Sequence, residues 1–118
     1  MFQSLGCQSC HSGPRYTDSG AGNPSLDLTG PILLHDVGTC VTSGVFPDVP
    51  HPAIDGTTRD PCKFDTPSLN GLASTPPYFH DGSAATISDA AQRMIAGTGA
   101  TPPSQDDLDA LVEFLKSL

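Results

Sequence analysis

The sequence predicts a small all-α fold wrapped around a prosthetic group, and three observations carry that reading. Cys7-Gln8-Ser9-Cys10-His11 sets two thiols two residues apart with an imidazole directly after them. Ser104 to Leu118 has the spacing of an amphipathic helix. The 118 residues are only 36% hydrophobic, with 12 Gly and 12 Pro, a lean supply for a self-sufficient core. A large flat apolar ligand would make up the deficit, and without it the chain is expected to fold poorly.

Cys-x-x-Cys-His is the attachment signature of c-type haem, in which the thiols add to the vinyl groups and the imidazole binds iron. Residues three apart on a helical turn share a face, so both sulfurs can reach one porphyrin edge. Cys7 and Cys10 are thus the attachment candidates for one haem c, with His11 as its proximal metal ligand. A zinc site would need two further ligands at a second knuckle, and Cys40 and Cys62 lie far apart without such a motif. A thioredoxin-like pair would need a helix after the motif, where Ser12-Gly13-Pro14 stops one.

A net charge of -8 argues against nucleic acid and anionic membrane surfaces, and favours a basic redox protein as partner. No apolar run approaches a membrane span. Met1 to Leu5 leads almost straight into the motif, which reads as a processed end or a cut boundary. Thioether formation belongs to the exported compartment, so the expected location is periplasmic or extracytoplasmic. There Cys40 and Cys62 would most simply form a disulfide, worth roughly 3 kcal/mol through loop entropy. Two buried free thiols are the alternative.

Phe2 and Leu5 precede the motif on what the pattern makes a two-turn N-terminal helix, held by haem and another helix. From Gly13 to about Thr66 the chain is rich in breakers, a long irregular loop that haem and the disulfide would organise. Leu26, Leu28, Ile32, Leu33 and Leu34 are its apolar cover for the ring. Thr66 to Leu72 reads as a turn into a short helix, with Pro67 at an early position. Thr75 to Ser83 is a rigid aromatic turn. Thr86 to Ala96 is a helix capped by Thr86 or Ser88 and stopped by Gly97 and Gly99. The last helix is capped by Ser104, has Asp106, Asp107 and Asp109 at its positive end and Lys116 at its negative end. Its stripe of Leu108, Leu111, Val112, Leu115 and Leu118 should pack on Phe2 and Leu5.

Asp65-Thr66-Pro67-Ser68-Leu69-Asn70-Gly71-Leu72, Thr75-Pro76-Pro77-Tyr78-Phe79-His80-Asp81-Gly82-Ser83 and the ending Leu111 to Leu118 resemble the C-terminal haem domain of bacterial di-haem cytochrome c peroxidases. The resemblance covers both ends and misses the middle. It implies a cytochrome c-like haem domain over residues 1–118, a single mono-haem unit of a larger protein. It also implies that Met94 is the sixth ligand to iron and that His80 lies near the haem without binding iron. The residues themselves favour Met94 as the internal thioether, with His35 as the best histidine rival and His51 and His80 behind it. Tyr78 and Phe79 are expected to pack on the haem.

With His11 and Met94 filling both axial positions, iron would have no open site for peroxide. The expected function is transfer of single electrons through one covalent haem. The alternative is the electron-receiving half of a cytochrome c peroxidase-like oxidoreductase, not catalytic alone, with the peroxidatic haem in a neighbouring domain. A sensor in which Met94 dissociates is a third reading.

Overall fold

In the computed structural model, residues 1–18, 34–36 and 63–118 are described. They form two short strands, β1 (Leu34–His35) and β2 (Phe64–Asp65), and two helices, α1 (Ile87–Gly97) and α2 (Gln105–Lys116). Single 3-10 turns lie at Cys7–Ser9 and Leu72–Ser74.

The expectation of an all-α chain is corrected by this arrangement. β1 and β2 pair antiparallel, Leu34 opposite Asp65 and His35 opposite Phe64. A separate antiparallel bridge joins Tyr78 to Ala84 across the aromatic turn. Extended residues beside turn-forming ones can pair over so short a span that no alternating pattern betrays them. The predicted N-terminal helix is also absent. Residues 2–6 form turns in which Leu5, Gly6 and Cys7 donate to Met1, Gln3 and Phe2, and Gly6 at φ 76° cannot continue a right-handed helix.

The two helices form as their sequences dictate. Thr86 and Ser104 accept from the backbone N–H of Asp89 and Asp107, the geometry of an N-cap. Ile87, Ala91 and Ile95 make the buried face of α1, and Leu108, Leu111, Val112 and Leu115 that of α2. These faces meet in one core with Leu69, and Phe2, Leu5 and Leu118 pack against its margin as expected. Phe2 contacts both Tyr16 and Phe114, at ring-centroid distances of 5.9 and 5.3 Å. Residues 1–5, although not helical, therefore dock on α2.

Leu34 lies half-buried on β1. Leu26, Leu28, Ile32, Leu33, His51 and the Cys40 and Cys62 pair fall outside the described residues. Among the described residues no helix is long and apolar enough to cross a membrane.

Candidate functional site

The Cys7 to His11 segment closes on itself. The N–H groups of Cys10 and His11 both donate to the Cys7 carbonyl, at 3.3 and 2.8 Å. Cys7 and Cys10 are free and half-buried. Burial pushes the Cys7 thiol up from its ordinary value, so it stays protonated at neutral pH.

His11 is half-buried, and its Nδ1 donates to the backbone carbonyl of Tyr16 at 2.9 Å. A carbonyl only accepts, so this bond fixes the tautomer and leaves the lone pair on Nε2, the atom that could bind a metal. Burial lowers the proton affinity of His11 against the opposing effect of the Tyr16 carbonyl, which keeps the ring neutral at pH 7. Neutral imidazole is the form that binds iron.

Tyr16 presents that carbonyl from a left-handed conformation, φ 51°. Its loop is tied to the segment around Thr66. Thr17 Oγ1 donates to the Thr66 carbonyl at 2.6 Å, Ser68 Oγ to Arg15 at 2.6 Å, and Asn70 Nδ2 to Pro14 at 3.2 Å. An open cleft of about 700 Å³ lies beside His11, with Phe2, Tyr16, Leu111 and Phe114 among its walls. Met94 is not among its described walls; it is half-buried on the flank of the α1 stripe.

The aromatic turn has a mainly internal geometry. Half-buried Tyr78 donates its hydroxyl to the Leu72 carbonyl at 3.0 Å. Half-buried Phe79 sits at φ 69° and Gly82 at φ 67°, and together they reverse the chain between the bridged Tyr78 and Ala84. His80 stacks on Phe64 at 4.0 Å with the rings 14° apart, next to His35 across the ladder.

One feature escaped sequence reasoning. His35 Nε2 lies 2.6 Å from Asp18 Oδ2, which gives the nitrogen of this rival iron ligand another partner. Asp18 is 7% exposed. Burial raises its carboxyl, but hydrogen bonds with Thr66 and His35 outweigh that and hold it below the usual carboxylate range. Cys10 Sγ and ligand atoms of Asp18 and His35 all lie within 4.8 Å of one another. Only the Asp18 and His35 residue types could have hinted at this, since 17 residues separate them.

The homologues of this chain are cytochrome c peroxidases. The cytochrome c551 peroxidase of Nitrosomonas europaea is 29% identical over 118 residues, all of this chain and 32% of that protein. The cytochrome-c peroxidase IdrP2 of Denitromonas iodatirespirans is 32% identical over 96% of this chain and 36% of its own length. The cytochrome c peroxidase Ccp of Escherichia coli is 27% identical over the whole chain and 23% of its own length. The chain thus spans about a third of the length of the first of these relatives. No family profile and no solved structure matches it.

Proposed function

We propose that this chain is the electron-transferring domain of a cytochrome c peroxidase-like protein and binds one haem c covalently. The single observation that carries the reading is the His11 Nδ1 bond to Tyr16, which presents Nε2 as a ligand directly after two free thiols. Cys7 and Cys10 would hold the cofactor through thioethers, and His11 and Met94 would bind its iron. Haem supplies a one-electron couple when bound. The open cleft beside His11 lies in the size range of cofactor sites, roughly 300–1,000 Å³.

The chain's own residues do the rest. The Tyr16 carbonyl holds the proximal ring in one tautomer and orientation, and burial keeps that ring unprotonated. Phe2, Tyr16 and Phe114 form an aromatic cluster on the wall of the cleft beside it. Tyr78 and Phe79 shape the turn before α1 and so place Met94; His80 and Phe64 brace that turn against the ladder.

That the chain spans about a third of its relatives favours a unit within a larger enzyme, receiving electrons for a peroxidatic centre elsewhere. Residues 1–118 would then be one mono-haem domain. Thioether formation would put that enzyme in the periplasm or another extracytoplasmic compartment.

The test is the optical spectrum of protein matured in a periplasm with cytochrome c assembly, compared with Met94→Ala. The reading expects one haem per chain that survives acid extraction, and a weak near-infrared sulfur-to-iron band that the variant loses. A native protein that lacks the band and is high-spin has an open site, which would overturn the His11 and Met94 assignment.

A further inference from the structure

We propose that His35 and Asp18 form a proton-binding site beside the thioether edge of the haem, taking up one proton when the haem gains one electron. This rests on the haem reading above and adds a function to residues outside the ligand set.

Geometry brings the pair to the cofactor. Both groups lie within 4.8 Å of Cys10 Sγ, the atom that would join the porphyrin. A soft cation could use Cys10, Asp18 and His35 together only while Cys10 is a free thiol. Once the sulfur is a thioether, the two remaining groups are suited to a proton instead.

The pair is built to hold that proton. Asp18 is an ionised carboxylate that only accepts, so neutral His35 donates its Nε2–H to Oδ2. Nδ1 is then the basic atom, and the incoming proton adds there without breaking the bond to Asp18. Asp18 Oδ1 is buried without a hydrogen-bond partner among the described residues, so the bond to His35 is an important stabiliser of its charge. The His35 side chain is 34% exposed, so water can deliver the proton.

Other titratable groups around the ladder are Asp36, Lys63 and Asp65, and His80 stacks on Phe64 opposite His35. The bond to Asp18 couples His35 to a buried charge near Cys10.

The step balances as one electron from a one-electron redox protein and one proton from water. Iron(III) becomes iron(II), and neutral imidazole becomes imidazolium. The added negative charge raises the proton affinity of His35, so the midpoint potential must fall as pH rises between its two affinities.

The test is a mediated potentiometric titration of the haem-loaded protein across the histidine range, with His35→Gln and Asp18→Asn beside it. A tenfold difference in proton affinity between redox states gives a total fall of about 59 mV for a one-electron couple. This fall is expected in the native protein and absent from His35→Gln, whose amide can still donate to Asp18. In Asp18→Asn the fall shifts to lower pH, because the neutral amide no longer stabilises imidazolium. NMR titration of His35 in the native protein should show about tenfold tighter proton binding in the ferrous form, independently of whether either variant folds. Equal His35 affinities in the two redox states, or a fall that persists unchanged in His35→Gln, would overturn the proposal alone. A matured protein without covalent haem would overturn the haem reading and this site with it.

Discussion

Leu111→Ala tests whether the α1 and α2 core carries the fold. Leu111 is 3% exposed, packs among the buried faces of both helices and also forms part of the cleft wall beside His11. Truncating a buried leucine costs about 2–5 kcal/mol, depending on how far neighbours relax into the space. Its position beside an open cleft favours the lower half of that range. With an unfolding entropy of roughly 2.1 cal/mol/K per residue over 118 residues, each kcal/mol moves Tm by about 4 °C. The expected fall is about 8–14 °C, measured by far-ultraviolet circular dichroism on the haem-loaded protein. Glu113→Ala on the same helix is the control. Its side chain is 72% exposed and paired with Lys116, so its effect should stay within about 0.5 kcal/mol. If Leu111→Ala melts within about 2 °C of the native protein, the α1 and α2 interface is not the cooperative core described above.

The caps give a second measure of the same helices: Thr86→Ala and Ser104→Ala each remove a bond to an orphan backbone N–H and should cost about 1 kcal/mol by urea denaturation. Replacement by Asn at either position should restore most of the loss, which a general packing defect would not allow. The Asp18 carboxyl is held below its ordinary value in the fold, so its stabilisation is full above the unfolded value and is lost as pH falls through the lowered folded one. Native protein should therefore lose its stability advantage over Asp18→Asn on acidification below about pH 4, and an advantage that persists unchanged at lower pH would contradict the assignment.

The sequence was most legible where a short local code is sufficient. Ser104, the acidic first turn and the apolar stripe define α2 without help from the rest of the chain. The N-terminal segment misled because Phe2 and Leu5 do face α2, as helix packing would require, while Gly6 at φ 76° turns the chain out of a helix. The β1 and β2 ladder was illegible for a different reason: two residues per strand give no alternation to detect. The Asp18 and His35 pair depends on that ladder, and so was hidden with it. Tyr16 left no signal either, since the functional group it supplies is a backbone carbonyl.

That carbonyl explains why the Thr66 to Asn70 segment matters to a site 50 residues away in sequence, a separation close to the 49 between Thr17 and Thr66. A tyrosine at φ 51° is disfavoured by on the order of 1 kcal/mol and would relax if the loop were free. Three hydrogen bonds from Thr17, Ser68 and Asn70 oppose that relaxation, each contributing about 0.5–1.5 kcal/mol net. Their sum exceeds the local strain, so the Tyr16 carbonyl stays directed at His11 Nδ1. Ser68 and Asn70 are then positioning residues for an imidazole they never touch. The motif that carries the imidazole and the distant segment that orients it form one unit, joined through backbone oxygens.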